Sequence, residues 1–470
     1  MDSSAQPDRL SDLPDVLLVL IISCLSFKQC VQTSLLSKRW GSLHLERRNV
    51  SFKESDFLSP SVFADPIRRV LARTAFVGYM RRWVARMGDQ PMDTFGISIS
   101  DPQTYLDVIE SLIAFAVQKR VKSLVLDFSN PAWRTFHNVN REELVVKIPQ
   151  SVYDLTTLES LKVCACDDFD PSRLSNLEKL KSVSFGWMEL KNIQPLLKRL
   201  ESLTMHDCWG LDFERISGDM IRELAIKDCD FFLTCILDLP RVDIFKYSGD
   251  ILCFEFDRMN AVISEVDLDF QVLDTDDYNE ATEGGMLCQL LNNLLDNGRR
   301  CATTLTVCPF LLKRIPLAVS PHLLRRMRTK HLVLKTKLHP KEFNGIRLLL
   351  INCPNLETLT LDLLPPSPTA TASSYAGIDP QTYWMQNISY KCLRETLTTV
   401  VVKNFTGGAE LNLVKYLLRS SCHLEKVELY MPFDLDDSRK MFASARSEML
   451  QRSSENVRFA LITSRMDVLV

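Results

Sequence analysis

LTTLESLKVCAC (155–166), LSNLEKLKSVSF (174–185), LLKRLESLTMHDC (196–208), MIRELAIKDC (220–229), LPRVDIFKYSG (239–249) and VISEVDLDF (262–270) are variations on one theme. Aligned on Leu161, Val183, Leu203, Leu224, Phe245 and Val266, they recur at steps of 22, 20, 21, 21 and 21 residues. Each block supplies a short period-two pattern, LxV, VxF, LxM, LxI, FxY or VxL, followed by a helical or irregular return that carries another Leu inward. One such unit cannot bury its own apolar face, so neighbours must stack into a curved solenoid with a parallel β-sheet on its concave face. Cys166, Cys208 and Cys229 fall two to five residues after the strand starts, where the backbone turns. Cys164 and Cys166 form CxC rather than CxxC, and no second pair stands at zinc-finger spacing, so these read as buried structural thiols and no metal site is expected.

Working upstream, Phe95, Ile97 and Ile99 alternate, Leu106 to Val117 has helical periodicity, and Val121, Leu124 and Leu126 resume an extended pattern. That strand, helix, strand order makes a first unit of the array. Residues 53–94 read as a helical connector, with Pro66, Ile67, Val70, Leu71, Tyr79, Trp83 and Val84 at helix-like spacing. Downstream, the acidic run DTDDYNEATEGG and the amphipathic MLCQLLNNLLDNG, within 271–301, read as a solvated insertion; the run lacks the Gly and Glu register of an EF-hand. Strand patterns return at Leu305 to Val307, Leu332 to Leu334 and Leu356, Leu359 and Leu361, closing an array over 95–364. PPSPTATASSYAGIDPQTYW marks a flexible loop at 365–385. In the final segment, 386–470, Val400, Val402 and Phe405, then Leu424, Val427 and Leu429, carry strand patterns around a helix at Leu413 to Leu418, before a closing polar helix.

The amino-terminal stretch, residues 8–52, is different in kind: DRLSDLPDVLLVLIISCLSFKQCVQTSLLSKRWGSLHLERRNVSF. From Val16 to Leu25 only Ser23 is polar, whereas a surface helix keeps its apolar residues to one stripe. A module of this size has little interior, so part of that helix asks for a covering partner. Asp12 is placed to cap it, with Pro14 and Asp15 in its first turn. Lys28 and Gln29 open a second helix whose inward face is Val31, Leu35 and Leu36, and after Ser37 a third short helix begins with Lys38, Arg39, Trp40 and Leu43. A secretory signal is not expected, because Asp2, Asp8, Asp12 and Asp15 precede the apolar run where a basic region is required. The run is also too short to span a bilayer.

These residues resemble the F-box in its plant form. The opening DRxSxLPDxLL is present as Asp8, Arg9, Ser11, Leu13, Pro14, Asp15, Leu17 and Leu18; the closing TSxLSKRW as Thr33, Ser34, Leu36, Ser37, Lys38, Arg39 and Trp40. Two positions depart from the pattern: Ser26-Phe27 replaces the usual Pro-Thr, and Leu20 stands where His or another polar residue is frequent. The repeat period is that of leucine-rich repeats, and the final segment resembles the FBD-type region of plant F-box leucine-rich-repeat proteins, which would cap the solenoid. The implied fold is α/β: a small three-helix F-box followed by a leucine-rich-repeat solenoid.

The chemistry that remains is sparse. There is no glycine-rich phosphate loop, GxSxG, HExxH or kinase signature, and the chain has only 15 glycines. His206, Asp207 and Cys208 are adjacent, but neighbours on a strand point to opposite faces, so no catalytic residue and no cofactor site is expected. The formal charge of −3 over 470 residues gives no general attraction to nucleic acid or membrane. Fourteen cysteines scattered over this length fit a reducing compartment, cytoplasm, nucleus or both.

The resemblance implies a non-catalytic, substrate-recognition subunit of an SCF-type cullin-RING ubiquitin ligase. Its F-box would dock on a Skp-type adaptor, and through it a cullin, while the repeats hold an unknown target protein. The expected adaptor-binding residues are Leu13, Pro14, Leu17, Leu20, Ile21, Leu25, Val31, Leu36 and Trp40, with Val16 and Leu18 in reserve; some of these must instead hold the helices together. The alternatives are a non-ligase scaffold or decoy bound to the adaptor, and a receptor that uses a small molecule as glue.

Overall fold

The computed structural model describes residues 10, 12–41, 43–59, 62, 65–136, 141–211, 214–230, 234–250, 253–259, 262–270, 301–318, 326–365, 378–386, 388–432, 435–452 and 456–464. They divide into two compact units, residues 1–212 and 213–470. The acidic run and helix expected within 271–300, and most of the linker at 366–377, lie outside the described residues.

The first unit opens with helix α1 (Asp15–Ser23). Pro14 is its N-cap and no side chain caps it, so Asp12 does not play the expected role. Helix α2 (Phe27–Gln32) starts in a capping box, in which the Gln29 N–H donates to Ser26 Oγ at 3.3 Å and the Ser26 N–H donates to Gln29 Oε1 at 3.1 Å. The Ser26-Phe27 departure thus has a local purpose: Ser26 caps, and Phe27 is buried. In place of a third α-helix there are two 3₁₀ turns, Arg39–Gly41 and Leu43–Leu45.

Strand β1 (Asn49–Lys53) follows at once, so the end of the 8–52 stretch is sheet, not helical module. Its alternation explains this, with Val50 and Phe52 buried and Asn49 and Lys53 exposed. Helix α3 (Pro66–Arg86) is capped by Asp65, whose carboxylate accepts from the Ile67 and Arg68 N–H groups. Then come β2 (Thr94–Ser98), α4 (Leu106–Gln118), β3 (Ser123–Asp127), β4 (Ser160–Cys164), β5 (Ser182–Gly186) and β6 (Ser202–His206). The six strands form a parallel sheet in sequence order.

One ladder of paired positions runs Val50, Phe95, Leu124, Leu161, Val183, Leu203, and a second runs Phe52, Ile97, Leu126, Val163, Phe185, Met205. All twelve side chains are buried. The residue directly after β4, β5 and β6 is left-handed in each case, Ala165 at φ 59°, Trp187 at 53° and Asp207 at 51°. That single residue turns the chain off the sheet, at a cost for side chains other than Gly, Asn or Asp.

The second unit repeats the plan with β7 (Glu223–Lys227), β8 (Ile244–Gly249), β9 (Val262–Phe270), β10 (Cys301–Val307), β11 (His331–Thr336), β12 (Thr358–Leu363), β13 (Thr399–Lys403), β14 (Lys426–Pro432) and β15 (Arg458–Ser464), again parallel and in order. Leu224, Phe245, Val266, Leu305, Leu332, Leu359, Val400, Val427 and Phe459 are paired across it. The final segment therefore continues the sheet, with α7 (Glu410–Ser420) between β13 and β14 and α8 (Asp437–Arg452) before a strand, β15, that the sequence did not announce. Helices α5 (Pro309–Ala318) and α6 (Pro340–Asn352) follow β10 and β11.

Three consecutive returns correct the expectation. Residues 215–217, 234–239 and 253–259 form a second, three-stranded parallel sheet instead of a helical or irregular return. The period-two placement of Cys235, Leu237 and Leu239 accounts for it: all three are buried, and Asp238 between the last two is buried as well and paired with Arg258.

Asp127 sits at the end of β3. Burial pushes its carboxyl up, but the Lys162 ammonium at 3.1 Å and hydrogen bonds from Ser129 hold it below the ordinary carboxylate value. A depressed carboxyl adds stability above its unfolded pKa and loses it as pH falls through the folded one. Lys162→Met should therefore cost on the order of 1 kcal/mol at neutral pH, and the gap from wild type should close below about pH 4. Urea titrations at a series of pH values check this; a gap that widens in acid refutes it.

Candidate functional site

Five buried residues, Leu18, Ile22, Cys30, Trp40 and Leu43, make the core of the amino-terminal module, with Leu13, Val19 and Leu25 packed against them. Leu18 and Ile22 are four apart and share one face of α1. The opposite face carries Val16, Leu17, Leu20 and Ile21, all exposed, with Val16 at 74%. Beyond α2, Leu35 and Leu36 are exposed too, Leu35 at 86%, so both reverse the inward placement expected of them. The reason is the break in the helix: residues 33–35 form a 3₁₀ turn, which shifts Leu35 and Leu36 away from the face that Cys30 buries.

The expected docking residues thus separate. Pro14, Leu17, Leu20, Ile21 and Leu36 are exposed and Val31 is half-buried. Leu13 and Leu25 pack on the core, while Trp40, at 4% exposure, and the reserve residue Leu18 belong to it. Leu35 was missed, because it was assigned to the inward face of a continuous second helix that ends at Gln32. Val16 moves from reserve to the centre of the exposed stripe.

Two charged side chains fix this module. Arg39 donates to Asp15 Oδ1 through Nε at 2.9 Å and Nη2 at 2.7 Å, and also to the Leu13 carbonyl, tying the turn after α2 to the start of α1. Arg47 is buried, and its Nη2 donates to the carbonyls of Ser23 and Leu25 at 3.3 and 3.2 Å, satisfying backbone acceptors at the end of α1. Cys30 lies beside it; burial pushes the thiol up and Arg47 opposes that. The module is not strung on a tether. Phe27 packs edge-on against Phe52 at 4.7 Å, Trp83 at 5.6 Å and Tyr79 at 5.9 Å, joining α2 to β1 and α3.

A second constellation lies at the carboxyl ends of β4 to β6. His206 reaches over Gly186 so that Nε2 stands 3.5 Å from Cys164 Sγ, while Nδ1 is 3.1 Å from Asp207 Oδ2. Sequence reading paired His206 with Cys208 and missed Cys164, 42 residues away, because only strand register brings them together. The order thiol, imidazole, carboxylate is that of a catalytic triad, but Cys164 has no exposed surface for a substrate to approach. Its role is packing. A Cβ at Gly186 would lie 2.1 Å from the imidazole. Gly186→Ala should then displace His206 and cost about 1–3 kcal/mol, and His206→Ala in the same chain should restore part of it; thermal melts of the three variants decide.

Nearby, the loops after β4, β5 and β6 enclose a cleft of about 320 Å³, lined by Asp167, Asp168, Phe169, Glu189, Lys191 and Trp209 among others. Its carboxylates already have partners, Glu189 with Lys191 at 2.8 Å, Asp167 and Asp168 with Lys147 at 3.6 and 3.8 Å, and Asp170 accepting from the Ser172 N–H and hydroxyl at 3.0 and 2.6 Å. Among the described residues no group of three or more His, Cys, Asp or Glu is arranged to hold a metal ion, and no helix is long and apolar enough to cross a membrane.

A small helical module with an outward apolar stripe, followed by parallel strands in chain order of which those aligned on residues 161–266 recur at 20- to 22-residue steps, is the plan of an F-box protein built on leucine-rich repeats. Comparison with known proteins agrees. The F-box domain family matches residues 10–43, and the FBD family matches residues 389–429. Two F-box/LRR-repeat proteins of Arabidopsis thaliana are 46% identical over 467 residues, covering 97% of this chain and 98% of the relative, and 47% identical over 476 residues, covering 97% of each. An F-box protein of the same plant is 37% identical over 470 residues, covering 97% of this chain and 99% of its own. The chain belongs to the F-box/LRR-repeat family, in the form that carries an FBD near the carboxyl end.

Proposed function

We propose that this chain is the substrate-recognition subunit of an SCF-type ubiquitin ligase, docking through its F-box on a Skp-type adaptor and thereby on a cullin, and holding a target protein on its repeats. The observation that carries the reading is the stripe of Val16, Leu17, Leu20 and Ile21, exposed on a module whose other face is committed to its own core. An apolar patch of this kind marks a protein interface, and the family match covers those residues. In this role the chain catalyses nothing. It raises the local concentration of target lysines near a charged conjugating enzyme.

The test is direct. Full-length chain mixed with a plant Skp-type adaptor should elute from a sizing column as a stable complex, and adding a cullin should shift that complex further. Separate elution at micromolar concentrations would overturn the docking. A scaffold or decoy that binds the adaptor without directing ubiquitin transfer is the competing reading; ubiquitylation of co-purifying proteins that is equal with the wild type and with a docking-deficient variant would favour it. Residence in cytoplasm or nucleus follows from the same proposal, because the adaptor must be met there.

A further inference from the structure

Midway along α3, Arg73 is buried at 4% exposure, with three of its guanidinium nitrogens engaged. Nε donates to Glu54 Oε1 at 2.7 Å, Nη1 to Asp101 Oδ2 at 3.0 Å and Nη2 to Ser100 Oγ at 2.7 Å. Glu54, itself 6% exposed, accepts at Oε2 from the Ser100 N–H at 2.6 Å and the Ser100 hydroxyl at 2.7 Å. Glu54 follows β1, and Ser100 and Asp101 follow β2. The cluster therefore joins one helix to the ends of two adjacent strands.

An apolar contact at this point would allow α3 to slide or roll by a fraction of a turn at little cost. A planar guanidinium facing three fixed acceptors permits one register only. The other half of α3 carries Tyr79 and Trp83, which together with Phe52 of β1 form the seat of Phe27 of the F-box. Because that seat is shared between α3 and β1, the register of α3 on β1 sets its shape and with it the direction in which the F-box points. A buried ion pair is seldom the most stabilising choice for such a position, since apolar residues of similar volume serve as well or better; its distinctive contribution is a unique geometry.

We propose that the Arg73, Glu54, Ser100 and Asp101 cluster is an orientation lock that sets the angle between the F-box and the first strands of the repeat array. This rests on the receptor reading for its purpose, since a ligase must hold its target at a fixed distance from the conjugating enzyme, but the lock itself is a property of the isolated chain. Arg73 acts through α3 and is a positioning residue.

The experiment places spin labels, through non-canonical residues, at Glu46 in the F-box, away from the exposed stripe, and at Lys179 beyond β4, and reads the distance distribution of the full chain. Wild type should give one narrow peak. Arg73→Met with Glu54→Leu removes both buried charges together; it takes the acceptor from the Ser100 N–H and so should lower the thermal midpoint somewhat, but it should leave adaptor binding near wild type while the distribution becomes about twofold broader. A folded double variant with wild-type width overturns the lock. If the double variant fails to unfold cooperatively, Ser100→Ala replaces it, which breaks two of the bonds and strands no charge; broadening supports the lock and an unchanged width overturns it. Failure of the wild type to bind adaptor would sink the receptor reading and leave the distance result standing.

Discussion

Replacing Leu20 and Ile21 together by aspartate will abolish capture of a Skp-type adaptor and leave the chain folded. Both side chains are exposed and neither belongs to the module's core, so their loss costs the free protein little. In a complex each would bury apolar surface worth about 2 kcal/mol, and a buried unpaired carboxylate adds a further penalty, so affinity should fall roughly a thousandfold or more. Isothermal titration, with melting of the free variant as control, measures both sides. Trp40→Ala supplies the contrast. Its indole is in the core, so truncation should destabilise by about 3–5 kcal/mol, and binding should fail because the module unfolds. If the aspartate variant binds as wild type does, the stripe is not the docking surface.

Gly345→Ala should be the most damaging single methyl in the second unit. The Cβ would stand 2.0 Å from the Leu312 carbonyl oxygen and 2.7 Å from its carbon and Cα, which are backbone atoms of α5 with no rotamer to change. Glycine is required here by the close approach of α5 to α6. Forcing the helices apart should cost at least about 3 kcal/mol, a drop of roughly 6–12 °C in the melting of that unit. Gly78, inside α3, is the opposite case: its Cβ would meet nothing closer than Arg82 Nη1 at 4.0 Å, and Ala should stabilise by about 0.5–1 kcal/mol. Calorimetry of both variants tests whether it is space, not helix propensity, that sets the sign.

The repeats were legible because their period is a property of the chain itself. Leu161 pairs with Val183 and Val183 with Leu203; Leu224 pairs with Phe245 and Phe245 with Val266, as alignment on those residues requires. What lay between the strands was less legible, since a return needs only to close the circuit, and CILDL can do so as a strand as readily as a helix. The F-box stripe was half legible. A helix apolar on all sides announces an unfilled need, but it does not say which face the module's own core will take; that was decided by Trp40 and Leu43, more than twenty residues on. Cys164 beside His206 was beyond reach, because the contact depends on the small Gly186 of an intervening strand.

The pairing of each strand with its neighbour in sequence also bears on how the chain acquires its structure. Within each unit every pairing of the main parallel sheet joins strands that are neighbours in the chain, 20 to 22 residues apart for Leu161, Val183 and Leu203 and for Leu224, Phe245 and Val266 and 27 to 45 elsewhere, so the loop entropy to be overcome at each stage is modest and folding can spread from any strand to the next. During synthesis the amino-terminal pieces emerge first. Strand β1, α3 and β2, with the F-box seated on them, can therefore assemble before the later strands have left the ribosome, and each new strand then finds an edge already waiting for it.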